Sequence, residues 1–389
     1  MRNLARRWLG AVLDLRRLGM SGAHAFLPPS GAAAWVACAM WPTMNRLYPQ
    51  DDTPESMEGT AAHDVFAEFL AGRDVAVGAS TINGVPVTRE MLDGAELYVQ
   101  TIDADLAKCG ATRAELHVEE RVAMPGIHPE NWGTPDTWHY AANLRQLRIY
   151  DYKFGHDFVD EVRNWQLIDY AAGILPMLPG PVDLVVFVIV QPRNYDNAGH
   201  VRRWTIAPEN LAPYWGRLQA AAAAAHEPQP LATPGDQCDH CPGAHACKPL
   251  QREGMRAATL SMRSAPSPLQ PPALALELRT LQRAAKLLKA RIGGLEAETF
   301  ARLQRGESIP GYGLKPTYGR EAWRVSVAEA IAIGRVLGHD ISKPGVMTPK
   351  QARDLGMPEE VVASIAGADS KGLALVADDG AAAERAFGN

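Results

Sequence analysis

Two short stretches about fifteen residues apart hold the residues best equipped for chemistry. Gly133-Thr134-Pro135-Asp136 and Asp151-Tyr152-Lys153 supply two carboxylates and an amine on what read as neighbouring strands. Residues i and i+2 of a strand share a face, so Asp151 and Lys153 project together. Two carboxylates at close range repel, and a divalent cation relieves the repulsion. Such a cation lowers the pKa of bound water and stabilises charge on phosphate oxygens, while a nearby lysine orients the water or assists its deprotonation. That is equipment for phosphodiester hydrolysis. Alone, the motif is common by chance: a turn aspartate beside a salt-bridged exposed strand reads the same.

Two neighbours strengthen it. His63, at the end of Glu58-Gly59-Thr60-Ala61-Ala62-His63, offers a neutral nitrogen ligand from a preceding helix, although a lone helical histidine is more often structural. Gln166 and Tyr170 lie one turn apart on a following helix and share a face, placed to contact DNA or to brace the site.

A second constellation is Cys238-x2-Cys241-x5-Cys247, in a loop with Pro242 and Gly243. Cys38 lies two hundred residues upstream. Four thiolates suit a 4Fe–4S cluster or tetrahedral zinc, and His240 and His245 leave a local Cys/His zinc site open. The fifth cysteine, Cys109, fits neither and reads as a buried free thiol. An odd count with a tight cluster fits a reducing compartment rather than a disulfide framework.

The elements that must position these groups follow from periodicity. Glu58 to Ala71 is helical, Leu116 to Ala123 alternates as a strand, and Gly133 to Ala142 and Leu144 to Phe154 read as two strands joined near Asn143. Asp160 to Leu175 is a helix, Asp183 to Gln191 a strand buried on both faces, and Val201 to Ile206 a last strand. This order specifies a mixed α/β fold. No GxGxxG or GxxxxGK[ST] stretch is present, which removes the phosphate-loop nucleotide folds.

The chain has 389 residues, 47% hydrophobic and 21% charged, with net charge −5, an ordinary globular composition that argues against a general nucleic-acid coat. No apolar run approaches the ~18 residues of a membrane helix. Residues 1–19 read as a basic amphipathic leader, or as an upstream start with Met20 the true one; Asp14, Arg16 and Arg17 interrupt any secretory stretch. Residues 20–250 hold nearly all the chemistry. Residues 251–272, rich in Pro and Ser toward their end, read as a linker, 273–370 as a mainly helical accessory domain, and 371–389 as a flexible tail.

Together these residues resemble the PD-(D/E)XK nuclease superfamily, in its RecB-like, iron–sulfur exonuclease branch. Met20-Ser21-Gly22-Ala23-His24-Ala25, Pro29-Ser30, Trp35-x2-Cys38 and Gly306-Glu307-Ser308-Ile309-Pro310-Gly311-Tyr312 are similar to a phage and prophage family within it. The resemblance covers about residues 20–325. It implies a restriction-endonuclease-like core and a metal-dependent DNA nuclease acting in recombination or repair in the bacterial cytoplasm. His63, Asp136, Asp151 and the backbone carbonyl of Tyr152 would bind Mg2+ or Mn2+, and Lys153 would position the water. Gln166 and Tyr170 would match the motif near the DNA. Cys38, Cys238, Cys241 and Cys247 would ligate iron–sulfur. It also implies a single-strand annealing protein as partner, and leaves self-association open.

Residues 252–325 hold thirteen Lys/Arg and six acidic residues, a local +7. Arg279, Arg283 and Lys286 recur at helical spacing, and Arg320 and Arg324 flank Trp323. This basic stripe reads as a path for a phosphate backbone with an aromatic for base stacking, or as a solvated helix face. The rival functional reading is a catalytically silent DNA-end-binding recombination protein. The intact Asp136, Asp151 and Lys153 argue against it.

Overall fold

The computed structural model describes residues 25–50, 52–194, 199–261, 269–318, 322–342, 347–367 and 370–377. The leader, Met20, Arg320 and residues 378–389 lie outside the described residues. Two compact units divide between Arg291 and Ile292.

In the first unit, short helices α1 (Ala32–Ala37) and α2 (Trp41–Leu47) precede α3 (Pro54–Leu70). Thr53 caps α3 by accepting the Ser56 N–H at 3.1 Å, with Pro54 in its first turn. Helix α4 (Arg89–Cys109) starts on the Thr88 cap and stops at Gly110, whose φ of 65° ends it in the left-handed region. Strands β1 (His117–Val118), β2 (Val122–Ala123), β3 (Trp132–Gly133), β4 (Thr137–Ala141) and β5 (Gln146–Tyr152) lead to α5 (Trp165–Ile174). Then come β6 (Leu184–Val190), β7 (Val201–Ile206), α6 (Ala212–Ala225) and α7 (Lys248–Ser261). The long helix α8 (Pro271–Gln304) runs across the division between the units.

The sheet order is β1-β4-β5-β6-β7; only β5 and β6 run parallel, joined through α5. One face, with Leu147, Ile149, Phe187 and Ile189, packs with residues of α1, α5 and α6. The other, with Tyr150, Tyr152, Val186 and Val188, packs with residues of α3 and α4. β6 is almost wholly apolar because helices cover both its faces. The fold is therefore a mixed α/β sheet flanked by helices, as the element order specifies.

Several expected boundaries move. Leu116 to Ala123 is not one strand: Glu119, with φ 48°, breaks it into β1 and β2, which belong to different sheets. Gly133 to Ala142 breaks likewise, because Gly133 pairs in the β2–β3 hairpin while Asp136 precedes β4. The helix expected from Asp160 begins at Trp165, capped by Asn164. Residues 251–261 are helical, part of α7, and the Pro271-Pro272 pair opens α8 instead of ending a linker, since proline fits a helix's first turn.

The second unit contains the end of α8, β8 (Tyr312–Tyr318), β9 (Ala322–Trp323), α9 (Val327–Val336), α10 (Pro349–Asp354), α11 (Glu359–Ile365), β10 (Ala366–Gly367) and β11 (Ser370–Ala377). It packs a small core around Ala330, Ile341, Ala352 and Val362. The expected tail is thus corrected over 371–377, which pairs antiparallel with β8 through a β-prone Leu-Ala-Leu-Val run.

Helix α4 lies close against the sheet at Gly94, where a Cβ would meet the Tyr152 hydroxyl and come within 2.9 Å of Pro192 Cγ. Gly94→Val should cost roughly 1–3 kcal/mol through overpacking, read as a lower urea midpoint. An unchanged midpoint would place α4 farther from the sheet.

Candidate active site

The β4–β5 register sets Thr137 opposite Tyr150, which brings Asp136 beside the end of β5. Asp136 Oδ2 accepts the Tyr152 N–H at 2.6 Å, and Oδ1 lies 3.4 Å from His63 Nδ1 on α3. Tyr152 turns its ring to the other face, among His63, Phe66 and Tyr98. In an extended strand a residue's N–H and C=O point to the same edge, so the Tyr152 carbonyl also faces the Asp136 side.

Asp151 and Lys153 share the opposite face. The Lys153 N–H donates to Val190 O at 2.9 Å, holding Lys153 in line with the parallel ladder. Its ammonium donates to Asp151 Oδ1 at 3.0 Å and to Gln166 Oε1 at 3.1 Å, while Gln166 Nε2 donates to the same Asp151 oxygen at 3.0 Å. The three side chains close a triangle. Tyr170 is buried and donates its hydroxyl to Thr134 O at 3.0 Å, bracing the turn that carries Asp136. A Cβ on Gly133 would lie 2.8 Å from Pro29 Cδ and 3.1 Å from the Tyr170 ring, so glycine is required for that turn to close.

The electrostatics divide the two carboxylates. Burial raises the Asp151 pKa to about 6, against the pull of Lys153 and with a smaller push from Asp136. Asp136 is buried too, yet the charge and hydrogen bond of His63 outweigh the burial and leave its pKa lowered. Burial alone would depress His63 and Lys153; their carboxylate partners reverse this and leave both raised. The expected ligands therefore meet at one end of the sheet, but the donor atoms of His63, Asp136 and Asp151 do not all lie within 4.8 Å of one another. Oδ1 of Asp151 is held by Lys153 and Gln166.

Arg193, absent from the sequence analysis, locks the adjoining elements. It makes a two-pronged ion pair with Glu58 of α3 at 2.7 and 2.8 Å, reaches Glu90 of α4 at 2.8 Å, and lies over the Phe154 ring. Its partners are far apart in sequence, so no spacing signal announces it.

Cys38, Cys238, Cys241 and Cys247 line one small cavity with Met44 and Leu250. Burial raises the Cys238, Cys241 and Cys247 thiols, Cys241 to about 11, and Cys38 adds to the rise at each. No three of the thiols lie within 4.8 Å of one another. A single tetrahedral zinc at Zn–S ~2.3 Å draws its sulfurs to about 4 Å apart. Backbone N–H groups of Thr233 and Gly235 reach Cys38 and Cys238 sulfur at 3.4 Å. Cys109 is buried and separate, its thiol donating to Asp105 O.

Among the described residues, one group does bring three metal-capable donors within 4.8 Å: His128, Glu130 and His226. His226 Nε2 lies 2.7 Å from Glu130, and the two imidazoles stack with centroids 3.9 Å apart. Near-parallel rings aim their lone pairs side by side rather than at one point.

The described residues of the expected DNA-binding set fall in both units. Arg279, Arg283 and Lys286 are exposed on α8, with Lys286 paired to Asp236 at 2.8 Å. Arg324 is exposed in the second unit. Trp323 is not a free stacking platform: its indole N–H donates to Met347 O at 2.8 Å and its ring packs on the small core.

The first unit thus defines a mixed α/β protein with an ionisable cluster at the end of its central strands. The chain belongs to the family described as "Protein of unknown function (DUF2800)", whose model matches residues 24–361.

Helix α5, which carries Gln166 and Tyr170, is anchored through Asp169. Both its carboxylate oxygens accept from Asn131 Nδ2, at 2.8 and 3.0 Å, while Asn131 Oδ1 has no partner. Burial pushes Asp169 up to about 7 from 3.8. Between those values the native state binds a proton that the unfolded chain releases. Stability should therefore fall as pH rises through this window, by up to ~1.4 kcal/mol per unit. Asp169→Asn should flatten that slope in urea unfolding between pH 5 and 7.5; an unchanged slope would mean that Asp169 does not take up the proton.

Proposed function

We propose that this protein is a metal-dependent DNA nuclease of the PD-(D/E)XK type, RecB-like, with exonuclease action on linear DNA. The observation that carries the reading is the closed triangle of Asp151, Lys153 and Gln166 beside the His63–Asp136 pair. It holds an ammonium group against a buried carboxylate at the end of the two central strands.

In this reading His63, Asp136, Asp151 and the Tyr152 carbonyl would hold Mg2+ or Mn2+. The mixed nitrogen and oxygen donor set suits Mn2+ at least as well as Mg2+. When bound, the ion lowers the pKa of water and stabilises charge on the phosphate oxygens. Lys153 directs its ammonium protons at the water and the scissile phosphate, and Gln166 keeps that ammonium in place. Tyr170 fixes the turn that presents Asp136. His63, its side chain 29% exposed, and Lys153, 27% exposed, mark the open side where a strand end enters. The four thiols hold an iron–sulfur cluster that joins the Cys38 segment to the Cys238–Cys247 loop, a role in cohesion.

Asp151→Ala and Lys153→Ala should each lower Mg2+- or Mn2+-dependent digestion of end-labelled linear DNA by at least ~100-fold without changing the circular dichroism spectrum. Circular substrate should survive. Digestion equal to wild type would sink the assignment, and DNA binding without cutting under any divalent ion would favour the silent end-binding protein. Cys38→Ser should strip the broad visible absorption from anaerobically prepared protein. A colourless, zinc-containing wild type would replace the cluster with structural zinc.

A further inference from the structure

Two arginines of the first unit lie over indoles. The guanidinium carbon of Arg121 is 3.6 Å from the centre of the Trp132 ring, and that of Arg217 is 5.0 Å from the centre of the Trp165 ring. Both arginines are exposed and both indoles half-buried. Among the described residues neither guanidinium makes a hydrogen bond or an ion pair. Other exposed arginines of this unit are matched to carboxylates, Arg73 to Glu68, Arg113 to Asp103 and Arg145 to Asp183. Glu120, next to Arg121 in the chain, is paired with His117 at 2.8 Å instead.

Their placement ties both to the ionisable cluster. The Glu119 N–H donates to Asp136 O at 2.9 Å and Val122 pairs with Gly133, so the segment carrying Arg121 runs beside the turn that presents Asp136. Tyr170 braces that turn through Thr134 O. Trp165 opens α5 and Gln166, which holds the Lys153 ammonium, follows it directly. The Trp215 indole N–H donates to Ile168 O at 3.1 Å, which seats α6, with Arg217, against the first turns of α5. A guanidinium held over an aromatic face keeps its N–H donors, loses less freedom on binding than a free side chain, and matches phosphate oxygens two at a time. Each stands alone over its own indole, so neither encloses a free phosphate ion. Separate single cations suit a polymer that repeats its charge along a strand.

We propose that Arg121 on Trp132 and Arg217 on Trp165 hold backbone phosphates of the DNA strand that enters the Asp136–Asp151 cluster. This deepens the nuclease reading and rests on it for the identity of the polymer. The contacts are to phosphate, so they position the strand and carry no base preference.

Fluorescence anisotropy of labelled single-stranded and duplex DNA on the full chain, with Ca2+ in place of Mg2+ and over a series of salt concentrations, tests it. Arg121→Gln and Arg217→Gln should each weaken binding severalfold whatever the base sequence, and each should shrink the slope of log affinity against log salt by about 0.7 on the single strand. Circular dichroism and the urea midpoint should stay as in wild type, and under Mg2+ KM should rise while kcat holds. Arg121→Lys and Arg217→Lys keep the charge and should restore most of the slope. Arg256→Gln removes the same charge from an arginine paired with Glu253 and should leave the slope unaltered. Slopes equal to wild type in both glutamine variants overturn the proposal, and continued cutting of DNA by those variants leaves the nuclease reading standing. So does a lowered urea midpoint with an unaltered slope, which would make the two stacks braces of the fold. A wild type that binds neither substrate overturns both readings. Flattened slopes in a chain that never cuts uphold the phosphate contacts and remove the nuclease reading alone.

Discussion

One hydrogen bond organises the ionisable cluster: the Tyr152 amide donating to Asp136 at 2.6 Å. Asp136 stands just before β4 and Tyr152 ends β5, so a carboxylate takes over the sheet ladder where backbone pairing stops. A buried carboxylate is costly unless it is hydrogen-bonded and near positive charge. Asp136 meets both conditions, through the amide and through His63. The same bond fixes the Tyr152 peptide, and with it the alternation that sends Asp151 and Lys153 to one face and the Tyr152 ring to the other. Disturbing the end of β5 therefore disturbs every member of the cluster.

Legibility in the sequence follows from whether a group's partner is local. The Asp151–Lys153 pair and the α5 pair of Gln166 and Tyr170 could be read because strand and helix periods fix which side chains share a face. β6 could be read because burial on both faces leaves an unbroken apolar run. Helix α4 was equally readable, with a Thr88 cap, Met91, Ala95, Tyr98 and Ile102 at helical spacing, and Gly110 at its end. It carries Tyr98 beneath Tyr152 and Asp105 among Arg148, Arg203 and Lys108. Arg193 is different in kind. Its ties to Glu58 and Glu90 depend on the three-dimensional approach of α3 and α4, and no one-dimensional period encodes that approach. The break at Glu119 is likewise tertiary, because the residues on either side of it are drawn into different sheets.

The cysteines show how composition and geometry weigh on one another. Three of the thiols, Cys238, Cys241 and Cys247, come from a single ten-residue stretch. Cys38 comes from a segment two hundred residues upstream and lines the same cavity. Burial raises the Cys238, Cys241 and Cys247 thiols, which disfavours their thiolate forms.

Charge distribution bears on how an acidic chain could meet a polyanion. The net charge of −5 repels DNA at long range, but beyond about a Debye length, ~8 Å in physiological salt, that repulsion is screened. What then matters is the local field at the strand ends. There Lys153 and His63 both have raised pKa values because the Asp136 and Asp151 carboxylates lie beside them.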